Sequence, residues 1–178
     1  MDSIKVSVMI PVYNTAKYIQ ATILSVMNQT LREIEIIIVN DGSTDNSLEL
    51  IRELGEKDDR IRIFTQENRG QAIARNKGLA EASGEFIYMM DSDDLLERDT
   101  LEACYNKCIS EKLDFVFFDA ENFCEEGDIT FSTEYDRQGK IDEQVRKGLD
   151  FLRILLEAGE YRVPLWLYFI NKDFLRTT

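Results

Sequence analysis

Apolar residues fall into short runs through residues 6–118, and the runs alternate between two spacings. Val6 to Val12 is almost unbroken apolar, as in a strand covered on both faces. Lys17 to Asn28 carries Ile19, Ile23, Val26 and Met27 at helical spacing, with Asn14 or Thr15 expected as its cap. Ile34 to Val39 is β-branched and reads as a second buried strand. Ser43 to Ser47 then offers several N-caps for a helix with Leu48, Ile51 and Leu54 on one stripe. Ile61 to Thr65 and Phe86 to Met90 read as further strands. Between them, Gly70 to Ala82 reads as a helix with small residues where it meets a sheet. Thr100 to Lys112 aligns Leu101, Cys104, Tyr105, Cys108 and Ile109 on a helix, and Phe115 to Phe118 reads as a fifth strand.

This alternation predicts an α/β fold: a Rossmann-like, mostly parallel sheet with helices on both faces. From Asp119 to Lys140 the pattern breaks down into a polar stretch with Gly127 and Gly139, expected to form loops and an irregular hairpin. Leu149 to Leu156 reads as one more helix, followed by Pro164 and the aromatic run Trp166 to Phe169. The chain stops at Thr178, soon after a strongly apolar segment, and is expected to be part of a longer protein.

At 178 residues, 44% apolar and 31% charged, the chain can bury a real core. Lys+Arg total 21 against 34 Asp+Glu, a formal charge of −13, which argues against a broad basic face for nucleic acid. An anionic ligand must therefore be held by local donors or by a metal ion. There is no histidine, which excludes Ser-His-Asp and Cys-His catalysis within the chain, His-ligated zinc and a histidine base. Cys104, Cys108 and Cys124 are too few for a disulfide framework, and the first two read as core packing rather than metal ligands. Runs such as Val163 to Ile170 are too short to span a bilayer, and no secretory signal opens the chain. A reducing, cytoplasmic setting is expected.

In an open parallel sheet, ligands bind outside the carboxyl ends of the strands. Four segments follow the first four strands: Pro11-Val12-Tyr13-Asn14, Asn40-Asp41-Gly42-Ser43, Glu67-Asn68-Arg69-Gly70 and Asp91-Ser92-Asp93-Asp94. Asp91 and Asp93 can reach one hard divalent cation such as Mg²⁺ or Mn²⁺; the bland alternative is an acidic turn capping the helix near Thr100. Asp41 can accept hydrogen bonds from a base or a ribose, because Ser43, Thr44 and Asp45 already supply helix caps. Tyr13 can stack on a base. Arg69 or Arg75 can meet phosphate, or else pair with a carboxylate of the chain. No Walker A and no G-x-G-x-x-G pattern occurs, which argues against P-loop and dinucleotide readings.

The segments VSVMIPVYN, SVMNQT, IIIVNDGSTDNS and ENRGQAIARNKGLAEASGEFIYMMDSDD, in this order and spacing over Val6 to Leu95, resemble the family 2 glycosyltransferases of the GT-A fold. The resemblance implies an inverting transfer of a sugar from a nucleotide-diphospho-sugar, most often a UDP-sugar, with Mn²⁺ or Mg²⁺. It places Pro11 and Tyr13, with Val12 and Asn14 beside them, at the base and ribose, and Asp41 at the uracil. Asn68, Gly70 and Arg75 match positions beside the nucleotide. Asp91 and Asp93, flanking Ser92, match the Asp-x-Asp that binds ribose and metal. Residues 1–118 would then be the donor-binding half, and 119–178 a partial acceptor-side region of the same domain. The family's general base follows a stretch resembling Trp166 to Leu175, so it is expected beyond Thr178; Asp119 and Asp173 do not match its motif. The implied acceptor is a glycan or lipid-linked sugar in surface polysaccharide synthesis, with peripheral association at the inner membrane face.

Two other classes fit the acidic α/β pattern less well. A nucleotidyltransferase would need a Gly-rich, basic phosphate loop that PVYNTAKY lacks, and a receiver-like domain would need a strand-end lysine. A non-catalytic nucleotide-sugar binding module remains compatible with the residues.

Overall fold

The near-continuous apolar runs form the centre of the sheet, where both faces are covered. A computed structural model describes residues 3–121, 144–157 and 165–176. In chain order the elements are β1 (Val6–Val12), α1 (Ile19–Met27), β2 (Ile34–Asp41), α2 (Ser47–Gly55), β3 (Ile61–Gln66), α3 (Gln71–Glu81) and β4 (Phe86–Met89). There follow α4 (Thr100–Glu111), β5 (Phe115–Phe117), α5 (Gly148–Glu157), a short 3₁₀ turn (Leu165–Leu167), β6 (Tyr168–Asn171) and α6 (Lys172–Arg176).

The strand order is β3-β2-β1-β4-β6-β5. β1 pairs in parallel with β2 and β4, and β2 with β3, while β6 runs antiparallel to both β4 and β5. The mostly parallel sheet expected from the sequence is present. Strand β6 is an addition to that expectation: it starts within the aromatic run Trp166 to Phe169 and continues through Ile170 and Asn171, a segment whose pattern carries no period of two. The hairpin expected within Asp119 to Lys140 falls almost wholly outside the described residues, as does Cys124.

Alternate residues of the central strands feed two cores. Val8, Ile10, Ile36 and Ile38 meet Ile19 and Ile23 of α1, Ile51 of α2 and Leu101 of α4 on one face. Met9, Ile37 and Val39 meet Ala74 of α3 on the other. The small residues of α3 let it lie close to the sheet: a Cβ on Gly78 would sit 3.3 Å from the Met9 sulfur. Cys104 and Cys108 are buried in the first core, and burial pushes their thiols up to about 12 and about 11. They pack as inert apolar groups, as expected. Among the described residues no helix is long and apolar enough to cross a membrane.

The amino end of the sheet is fixed by a buried carboxylate. Glu35 on β2 accepts Ser7 Oγ of its register partner on β1 at 2.6 Å, the N–H and Oγ of Ser83 at 2.6 and 2.7 Å, and Arg62 Nη1 at 2.7 Å. Burial pushes this carboxyl up, yet these donors outweigh it and hold it below its ordinary value. A cleft of about 440 Å³ opens here, lined in part by Arg32, Arg60 and Arg62. Those arginines bond the Met27 carbonyl at the end of α1, Asp58 and Glu35, so the chain's own acceptors already engage them.

Candidate functional site

The functional candidates gather at the opposite end, where the loops after β1, β2, β3 and β4 leave the carboxyl edge of the sheet. Each loop is tied to a neighbour by side-chain-to-backbone bonds. Asn14, in the left-handed conformation at φ 54°, accepts the Thr44 amide on its Oδ1 at 2.7 Å. Its own N–H donates to Ser43 Oγ at 3.1 Å. Thr15 N–H donates to Ser47 Oγ, and Ala16 N–H to Asp45, both at 3.0 Å. These contacts correct the capping assignment. Tyr18, not Asn14 or Thr15, precedes α1, and no side chain caps that helix. The Ser43–Ser47 cluster is spent largely on holding the loop after β1. Asp45 Oδ1 does accept the Ser47 amide, at 3.0 Å.

Asp41 ends β2 on the face of the sheet that packs α3, and is only 3% exposed. Its Oδ1 accepts Gln66 Nε2 at 2.7 Å and the Arg69 amide at 2.9 Å, and its Oδ2 accepts the Gly70 amide at 2.8 Å. Burial pushes the carboxyl up, but these donors outweigh it and leave the group below its ordinary value. Gly70 is the residue before α3, so the charge also lies at the positive end of a helix. Asp41 thus shapes the loop that carries Asn68. Gly42 takes φ 72° beside it, and a Cβ there would lie 2.7 Å from the Asn68 nitrogen.

The loop after β4 holds the acidic cluster. Asp91 Oδ1 accepts Arg75 Nη2 at 2.5 Å and Gln71 Nε2 at 3.0 Å, both from α3. Arg75 is therefore paired within the site, the second of the two roles its sequence position allows. Ser92 is buried and its carbonyl accepts Thr22 Oγ1 of α1 at 3.0 Å. Asp93 is exposed. The acidic turn does not cap α4, whose Leu101 amide is taken by Gln29 Oε1 at 3.1 Å. Asp94 is partly buried, with Oδ2 unpartnered; burial, then the charges of Asp91 and Asp93, push it up to about 6.

Tyr13 is 48% exposed and Asn68 and Gly70 are open to solvent, positions free to meet a ligand. Val12 and Pro11 are buried in β1, so the Val12 side chain belongs to the core and only its backbone borders the site. Asp94 stands in the Asp91-to-Asp94 segment of the sequence reading without a role of its own, and Gln71 escapes that reading. The third carboxylate of the Asp-Ser-Asp-Asp run marks Asp94; nothing in the sequence marks Gln71.

The acidic pair fits one kind of cation. Among the described residues no three His, Cys, Asp or Glu converge, so a closed all-protein metal cage is absent there. Mg²⁺ and Mn²⁺ are commonly held by one or two carboxylates, with phosphates and waters completing the shell. Exposed Asp93 and the Oδ2 of Asp91, which accepts no hydrogen bond from any described residue, suit that arrangement.

Comparison with known proteins agrees with this geometry. The family model described as Glycosyl transferase family 2 matches residues 7–162. "Glycosyltransferase GlyA" of Streptococcus pneumoniae is 44% identical over 110 residues, covering 62% of this chain and 16% of that protein. "Chondroitin synthase" of Pasteurella multocida is 45% identical over 107 residues, covering 60% of this chain and 11% of its own length. The chain therefore spans a small part of either relative. The crystal structure of S. aureus TarS 1-349 in complex with UDP superposes with a TM-score of 0.64 at 28% identity, over 71% of this chain and 38% of that one.

Proposed function

The chain belongs to glycosyl transferase family 2, and on that premise we propose that it binds the donor in an inverting glycosyltransferase. The donor is a nucleotide-diphospho-sugar, in our reading a UDP-sugar, and the acceptor is a hydroxyl of a glycan or lipid-linked sugar. The UDP complex of TarS supports the nucleotide, and the name of the Pasteurella relative supports polysaccharide synthesis. In this reading residues 1–118 supply the donor half, residues 119–178 border the acceptor side, and the protein works at the cytoplasmic face of a membrane.

The observation that carries the reading is the acidic pair beside a positive side chain at the sheet's carboxyl edge: Arg75 on Asp91, with Asp93 exposed next to them. A diphosphate leaving group carries about two negative charges, and its departure needs them stabilised. A chain of net charge −13 has no general field to do this, so local groups must. A divalent cation held by Asp93 and by Asp91, which Arg75 anchors, would supply this as a Lewis acid. Tyr13 offers an aromatic face to the base, and Asp41 and Asn68 shape the pocket wall. Inversion also needs a general base on the opposite side of the sugar; none of the residues described above is assigned that role.

Titration calorimetry with UDP and GDP, with and without Mn²⁺, tests the reading on wild type and Asp93→Ala. Metal-dependent UDP binding weakened about tenfold or more in the variant is expected, a loss of at least one charge-assisted contact. A folded sample that binds neither nucleotide overturns it.

A further inference from the structure

We propose that Gln71 is a positioning residue that keeps one oxygen of Asp91 open for the donor and its cation; this rests on the reading of the site given above. An arginine and a carboxylate frequently form a fork in which two guanidinium N–H groups take both carboxylate oxygens. Arg75 and Asp91 do not. Arg75 reaches Oδ1 end-on through Nη2, and its Nε is buried without a hydrogen-bond partner. A buried, charged donor left unmatched is an unfavourable arrangement that the fork would relieve.

Gln71 stands where it can prevent that fork. It opens α3 one turn before Arg75, on the same side of the helix by i, i+4 spacing. Its Nε2 donates to the same Oδ1, at 3.0 Å. An sp² carboxylate oxygen has two lone pairs, and the amide and the guanidinium use both. The carboxylate is turned with Oδ1 toward α3, and Oδ2 accepts no hydrogen bond from any described residue. Asp91 is thereby divided into an anchored oxygen and a free one. Without the Gln71 amide, Arg75 closes the fork, and the oxygen meant for the ligand is consumed by the protein.

A positioning role and a merely structural one differ in sign. Gln71→Met keeps length and helix propensity but removes the donor. We expect its UDP affinity in the presence of Mn²⁺ to fall about tenfold while the thermal midpoint rises, because the fork satisfies Arg75 Nε. Arg75→Lys supplies the control, since a lysine is a point charge that cannot fork. In that background Gln71→Met should leave both affinity and midpoint unchanged. The inference is overturned if Gln71→Met binds UDP like wild type, if its midpoint does not rise, or if its losses persist in full in the Arg75→Lys background. If wild-type protein fails to bind UDP, the functional reading falls separately. The midpoints then decide: a rise abolished by Arg75→Lys supports the fork, and no rise overturns it.

Discussion

The carboxylate of Asp41, at the end of one strand, holds the backbone of Gly70 at 2.8 Å, on the threshold of the helix that follows the next strand. It is a loop-shaping contact made by a residue of the proposed site, so fold and candidate site share one charge. Asp41→Asn replaces an acceptor by an amide whose N–H₂ faces other donors. The variant should lose about 2 kcal/mol of stability at neutral pH, the scale of a hydrogen bond to a charged group plus an unpaired donor. Because the folded pKa lies below 3.8, the wild-type contribution is present above that value and is lost as pH falls beneath it. Urea denaturation at pH 7 and at acid pH checks both points; equal stability of the two proteins at pH 7 would contradict them.

Gly42 and Asn68 test the same loop by sterics. Gly42→Ala adds a Cβ at φ 72° that lies 2.7 Å from a backbone nitrogen. The left-handed conformation alone costs a non-glycine residue about 1–2 kcal/mol, and the clash must move the loop. Lower stability and weaker UDP binding are expected together. A variant that keeps wild-type UDP affinity would show that the position of Asn68 does not matter to the nucleotide.

Asp94 behaves in the opposite sense to Asp41. Its pKa is raised from 3.8 to about 6, so the folded protein holds its proton more tightly than the unfolded chain does. Stability is then greatest below the unfolded value and declines as pH rises from 3.8 toward about 6. Asp94→Asn, in metal-free protein, should remove this decline and gain about 1–3 kcal/mol at neutral pH. Denaturation midpoints compared at pH 4 and pH 7.5 decide it, and an unchanged pH slope in the variant counts against the prediction.

Much of the architecture could be read ahead of the structure because its centre is simple. Strands β1 and β2 are buried on both faces, which leaves near-continuous apolar text, and α3 advertises its close packing through Ala74 and Gly78. Asp41 is legible as a carboxylate at a strand end, Asp91 and Asp93 as carboxylates just past one, and Arg75 as a guanidinium inside the helix that follows β3. Less visible were the partners. Asn14 looks like a helix cap, yet its Oδ1 bonds the next loop, because capping propensity does not specify which amide is satisfied. Gln71 has no distinguishing chemistry until folding brings it to Asp91. Strand β6 was hidden because a four-residue antiparallel segment is defined by its neighbours, not by its own pattern.

That last strand also imposes an order on the birth of the molecule. Once Met89 has been synthesised, β1 to β4 have their parallel partners in hand. β5 does not: among the described strands it pairs with β6 alone, and β6 is made much later. Phe115 and Phe117 therefore emerge from the ribosome before their described partner strand, and the flank of β4 that takes β6 waits as well. The β3-β2-β1-β4 part of the sheet can assemble during translation, whereas the β6-β5 flank is a late joint, sealed only when Phe169 arrives to stack on Phe86.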